Sequence, residues 1–187
     1  MKTAFIVLLS ICALYTYGQN FPEVIRRDSI YIPATYEMLD SISGDLNRDS
    51  YKDLLIIFKN ADEEDLSETS DEPIDRPLLI YLRDSLNNYH LITQNNKVVL
   101  CYSCGGVFGD PYNGMAVKNG YFTIEHYGGS AWRWTRYITF KYSESDSTWY
   151  LHKDGGESFH ASDPDNTEIN IKTVKDFGIV KFEDFEY

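Results

Sequence analysis

The sequence predicts a mainly β fold: a single antiparallel β-rich domain with little helix. Three observations lead there. Residues 121–127 and 132–142 alternate strictly. Phe122, Ile124 and His126 fall on one side of the first, and Trp132, Trp134, Ile138, Phe140 and Tyr142 on one side of the second; this is the period of a half-buried strand. No stretch sustains the three-to-four spacing of a helix that packs by one face. Fifteen tyrosines, within 15% aromatic residues, suit a pleated surface.

Taken in order, Pro22 opens a short helical turn within residues 20–27. Residues 29–32 form a brief strand stopped by Pro33. Residues 36–42 form the next strand and lead into an acidic loop over 44–53. Leu54-Leu55-Ile56-Ile57-Phe58 is apolar on both faces, so it reads as a central strand covered on both sides. Residues 60–77 crowd Asp62, Glu63, Glu64, Asp65, Glu68, Asp71, Glu72 and Asp75 together with little to bury, which predicts an acidic flexible loop. Strands at 78–83, 89–93 and 98–100 are separated by turns at 84–88 and 94–96, at hairpin spacing. Four glycines and Pro111 make 105–114 a loop with special backbone demands. After the two alternating strands, a turn at 143–147 leads to a strand over 148–153. Gly155-Gly156 and residues 162–166 form a long turn before a strand at 168–174, and residues 179–182 close a sheet edge.

Charge and leader narrow the function classes. A formal charge of −12 is wrong for a nucleic-acid binder, which needs a basic stripe, and for docking on anionic lipid; it fits solubility. Residues 1–18 read as a secretory signal peptide: Lys2, an apolar run over 4–14, then Thr16 and Gly18 at the cleavage positions. Lipoprotein processing at Cys12 is the alternative, with Ile11 where a small residue belongs. No later apolar run approaches the ~20 residues of a membrane helix. The expected location is therefore periplasmic or secreted, where disulfides persist.

The densest chemistry lies in Gly44-Asp-Leu-Asn-Arg-Asp-Ser-Tyr-Lys-Asp53. Asp45, Asn47, Asp49 and Asp53 supply oxygens at relative positions one, three, five and nine, and the Tyr51 carbonyl is a fifth ligand at seven. Such a donor set suits Ca²⁺. Ile56 stands where an EF-hand carries its bidentate glutamate, so this is not an EF-hand. The loop resembles the calcium loop of FG-GAP and VCBS repeats, as in integrin α-subunit propellers, with Leu54-Leu55-Ile56 following as in that family. Ser50 departs from the glycine expected there, at a position favouring a left-handed backbone. Without a cation, the same residues make a solvated Asx-type turn. The motif occurs once, and 187 residues are too few for seven blades, so a complete propeller is not expected.

Cys101 and Cys104 are expected to form a local disulfide pinning the glycine loop. A thioredoxin-like redox pair needs a following helix, and a zinc site needs two more ligands from His90, His126, His152 and His160, none at metal-site spacing. Glu125, His126 and Ser130 invite a hydrolase reading, although His126 shares a face with Phe122 and Ile124. Trp132 and Trp134 are core residues or, with His126, Arg133 and the tyrosines, a glycan or peptide platform. Arg136 needs an aromatic face or a carboxylate. The motifs Cys101-Tyr-Ser-Cys-Gly-Gly106, Phe108-Gly-Asp-Pro111, Ile124-Glu-His-Tyr-Gly-Gly-Ser130 and Trp132-Arg-Trp134 together resemble a family of small exported bacterial proteins of uncharacterised function. The resemblance implies a compact exported domain and no reaction. The expected function is that of an exported, calcium-stabilised, non-catalytic binding protein of the cell envelope, its partner a protein or a glycan. The alternative is an envelope hydrolase using the Glu125, His126 and Arg133 region.

Overall fold

The computed structural model describes residues 21–26 and 32–187. Residues 1–18, expected as a signal peptide, with Cys12, and most of the strand expected over 29–32, lie outside them. The described chain forms two five-stranded antiparallel sheets. The first contains β1 (Val24–Arg26), β2 (Tyr36–Gly44), β3 (Asp53–Asn60), β4 (Arg76–Arg83) and β5 (Asn88–Val99), in the order β1-β5-β4-β3-β2. The second is a meander of β6 (Tyr112–Lys118), β7 (Tyr121–Gly129), β8 (Trp132–Ser143), β9 (Thr148–His160) and β10 (Asp163–Thr173), each paired with the next. Among the described residues no helix is long and apolar enough to cross a membrane.

The double-sided apolar reading of residues 54–58 holds. On β3, Leu55 and Ile57 enter the core between the sheets, with Leu78, Ile80, Phe122, Ile124, Ile138 and Phe140. Ile56 and Phe58 enter a second cluster, where Phe21 and Ile25 cover the opposite face with Leu79 and Tyr81. Residues 179–182 also behave as expected. The Leu151 N–H donates to the Val180 carbonyl and the Phe182 N–H to the Trp149 carbonyl, both at 2.8 Å, along the edge of β9.

Four local expectations need correction. Residues 24–26 are a strand, because they pair with β5, where a helical turn was expected. The strand β5 continues through the turn expected at 94–96, with a bulge between Asn95 and Val99 in its pairing with β4. Buried Asn95 accepts the N–H groups of Lys97 and Val98 at 2.7 Å and donates to the carbonyls of Phe182 and Phe185. A turn-forming residue is here used as a polar bracket within the sheet. The strand β9 likewise passes through Gly155-Gly156 instead of turning. A side chain at Gly156 would start 1.9 Å from the Thr135 carbonyl oxygen, so glycine permits the close approach of β8.

The acidic stretch departs furthest from its reading as a loop, because it contains helix α1 (Glu63–Thr69). Its first turn holds Glu63, Glu64 and Asp65, which suit the positive end of a helix dipole. What fixes it is burial of Glu63 against Arg76, whose side chain is fully enclosed. The Arg76 Nε and Nη2 donate to the two Glu63 oxygens at 2.9 and 2.7 Å, and Nη1 and Nη2 donate to Asp110 at 2.7 Å each. Nη1 also reaches the Leu100 carbonyl at 3.1 Å. Burial alone would lower the Arg76 pKa, but the two carboxylates reverse this and hold it above the ordinary value. Arg76→Ala leaves two carboxylates facing a vacated site and should cost about 4 kcal/mol in denaturant unfolding. A loss under about 1 kcal/mol would mean that the pairs behave as solvated surface bridges.

Candidate functional site

The loop between β2 and β3 is a set of nested side-chain-to-backbone bonds. The Asp45 Oδ2 accepts the Ser50 N–H at 3.1 Å, Asn47 Oδ1 the Asp49 N–H at 3.1 Å, and Asp49 Oδ1 the Tyr51 N–H at 2.8 Å. Asp53 is fully buried. Its Oδ2 accepts the Leu46 N–H at 2.8 Å and its Oδ1 the Arg83 N–H at 3.0 Å. Burial raises the Asp53 pKa, those two donors oppose the shift, and the charges of Asp49 and Asp45 add to it.

One oxygen from each of Asp45, Asp49 and Asp53 lies within 4.8 Å of the others. Among the described residues this is the sole group of three or more histidine, cysteine or carboxylate side chains so gathered. The Asp45 Oδ1 is buried with no hydrogen-bond partner. An all-oxygen donor set with an orphaned carboxylate oxygen fits a hard cation. Asn47 donates from Nδ2 to Asp49 at 2.9 Å, and Tyr51 is an exposed residue at the rim. Ser50 has φ 74°, the left-handed conformation for which glycine was expected.

The loop also joins the two sheets. Leu46 is fully buried in the core between them, and its carbonyl accepts the indole N–H of buried Trp149 at 3.0 Å. The Gly120 N–H donates to the Asp45 carbonyl at 3.0 Å, and Arg48 Nε to the Asn119 carbonyl at 3.2 Å. The β6–β7 turn is thereby fastened to the acidic loop.

Cys101 and Cys104 are bonded to each other, across a 3-10 turn at Tyr102–Gly105. The turn leads into the glycine loop. At Gly106, φ is 70° and a side chain would begin 2.7 Å from the Gly129 carbonyl oxygen. The zinc candidates are dispersed. His90 faces Asp84 at 2.9 Å, His152 meets Tyr121 edge-on, and His160 meets Trp132 edge-on.

His126 is enclosed, as its alternation with Phe122 and Ile124 implied. Its Nε2 accepts the Leu100 N–H at 3.2 Å, and its Nδ1 is buried without a partner. Burial first, then the positive charges of Arg136 and Arg76, lower its pKa to about 4. Strand alternation sends Glu125 and Arg133 to the face opposite His126. Arg133 lies over the Phe108 ring, 5.1 Å from its centroid, and reaches the Tyr127 hydroxyl at 3.3 Å. The trio named for a hydrolase is thus split between two faces.

Trp132 and Trp134 share the inner face of the second sheet, beyond the part that packs the core. Trp132 is 56% exposed. The Trp134 ring lies over Gly128, where a side chain would start 2.5 Å from its Cζ2. Next along the same face, Arg136 Nε and Nη2 grip Asp154 at 2.9 and 2.8 Å. Pairing of Glu168, Asn170 and Lys172 with Ser158, Gly156 and Asp154 brings β10 to this face. Together they line an open cleft of about 320 Å³. Asp154, Glu168, Asn170 and Lys172 escaped the sequence reading because the turn assigned to Gly155-Gly156 left β10 without a register. The Glu-x-Asn-x-Lys alternation was the available signal.

Two measurements test these assignments. Ser50→Gly should raise stability in denaturant by about 1 kcal/mol, because it relieves a left-handed serine; no gain would mean that the Ser50 conformation is unstrained. For His126, the folded value lies below the unfolded value of about 6.5. Its contribution to stability is complete above about pH 6.5 and is lost as pH falls toward about 4, by about 3 kcal/mol at most. His126→Gln should flatten that part of the pH–stability curve, and an unchanged curve would contradict the assignment. No family model matches the chain, and no match was found among curated proteins or solved structures.

Proposed function

We propose that this chain is an exported, non-catalytic binding protein of the cell envelope, stabilised by calcium in the loop from Asp45 to Asp53. The observation that carries the binding reading is the second sheet's inner face. One part of that face packs the core through Phe122, Ile124, Ile138 and Phe140, while the part at Trp134 and Arg136 borders an open cleft. Side chains on strands hold a binding surface more rigidly than loops do. The hydrolase reading draws less support, since His126 is walled in and Glu125 and Arg133 belong to the other face.

Calcium has a structural part in this proposal. Asp45, Asp49 and Asp53 would supply carboxylate oxygens, and Asn47 and the Tyr51 carbonyl would complete the set. The cation would neutralise three neighbouring carboxylates beside the peptide of Leu46, away from the cleft. Export, through the expected signal segment, supplies both the calcium and the oxidising conditions suited to the Cys101–Cys104 bond.

A cation bound only by the folded state raises stability by mass action. Calcium should therefore raise the melting temperature by several degrees, chelator should reverse the gain, and Asp49→Ala should abolish the difference. A wild-type protein indifferent to calcium would overturn the metal assignment. The binding role is tested by capture from envelope extract with and without calcium, together with product analysis of the captured material; turnover of that material would replace binding with catalysis.

A further inference from the structure

The cleft between β8, β9 and β10 has a lining that selects a class of ligand. Its chemical parts are Trp134, Arg136, Asp154, Glu168, Asn170 and Lys172. At about 320 Å³ it sits at the lower end of the roughly 300–1,000 Å³ typical of small-ligand sites. An apolar ligand would strip water from Glu168, Lys172 and the Arg136–Asp154 pair without replacing their hydrogen bonds, which is unfavourable. An anion would meet Asp154 and Glu168, and Arg136 is already neutralised by Asp154. A cation would meet Lys172, and the Asp154 carboxylate is in the same way spent on Arg136. An extended peptide normally adds to a free strand edge; the one at this site is the outer edge of β10, whereas the floor of the cleft, β8 and β9, is paired on both sides, so a ligand seated on the floor is not held by strand addition. What remains is a neutral ligand, rich in hydroxyls, with one apolar face.

We infer that this cleft binds a neutral pyranose oligosaccharide, one sugar ring lying against Trp134 and its hydroxyls bonded by Arg136, Asn170 and Glu168. The inference rests on the binding role proposed above and gives it a ligand. A pyranose presents axial C–H groups on one face, which suit an indole, and equatorial hydroxyls that both donate and accept. The site offers both kinds of partner. Arg136 spends Nε and Nη2 on Asp154, which leaves Nη1 as a donor. The Asn170 amide offers a donor and an acceptor, and Glu168 an acceptor. Trp132, on the same face two residues before Trp134 and paired with His160, extends the aromatic track for a neighbouring sugar.

Calorimetric titration of the calcium-loaded protein with chitohexaose, cellohexaose and mannohexaose tests the assignment. At least one should bind saturably. Trp134→Ala and Asn170→Ala should each weaken it about tenfold, as truncating a central contact does. Asn170 is exposed on an outer strand, so its variant is expected to retain the wild-type melting temperature and serves as the control for folding. Absence of binding to all three sugars, or binding indifferent to both substitutions, overturns the inference. Should the protein capture a polypeptide while ignoring all three sugars, the binding role stands and this inference falls. If a bound sugar is shortened, the cleft assignment stands and the non-catalytic reading falls.

Discussion

Everything in this structure depends on how one peptide, that of Leu46, is satisfied. Its side chain lies in the dry core between the sheets, so neither its N–H nor its carbonyl can rely on water. A buried backbone group without a partner costs as much as a lost hydrogen bond or more. Asp53 takes the N–H and Trp149 gives to the carbonyl. Asp53 begins β3 in the first sheet and Trp149 lies on β9 in the second. One residue's hydrogen bonds thereby set the distance between two sheets. The acidic loop follows from the same requirement: Asp53 must be a buried acceptor, and Asp45 and Asp49 close around it.

A second polar knot holds the other end of the interface. Arg76 starts β4, Glu63 starts α1 and Asp110 stands in the glycine loop, three segments without a shared sheet edge. Burying a guanidinium among two carboxylates stabilises little in itself, because desolvation offsets much of the attraction. The geometry of the arrangement is the gain, since four donor–acceptor bonds to planar groups admit a single relative placement of the segments. The disulfide turn at Cys101–Cys104 and the Leu100 carbonyl lie against the same knot, so the glycine loop is held from both of its ends.

Much of the architecture was legible because strands advertise themselves by alternation. β7 and β8 were readable residue by residue, and β3 was readable as double-sided from five apolar residues in a row. The misreadings share a physical cause. Asn95, Gly155 and Gly156 are turn formers by intrinsic preference, but tertiary contacts decide their use. Asn95 brackets the C-terminal segment, and the glycines allow two strands to approach. Residues 60–77 read as a flexible loop because their acidic charges were counted without the buried arginine that Glu63 meets. The gathering of Asp45, Asp49 and Asp53 was legible because their spacing is local. The cleft was missed because its members are cross-strand neighbours, and sequence does not display register across a misassigned turn. Ile169 and Ile171 are 66% and 51% exposed, on the side of β10 away from the cleft.

The path of the chain after β10 constrains the order of assembly. The strand ends at Thr173, a short helix α2 (Val174–Phe177) carries it aside, and residues 180–182 then return to the same edge of β9. There Phe182 and Phe185 fill the core against Phe140, while their carbonyls receive the Asn95 amide. The first sheet consequently keeps an open polar bracket until residues 182–185 arrive. Contacts that span nearly ninety residues are slow to form, since loop closure precedes any reward. A polypeptide emerging from its N-terminus cannot lock this interface early. Closure of this interface is therefore a late step of folding, after both sheets have formed their local hairpins.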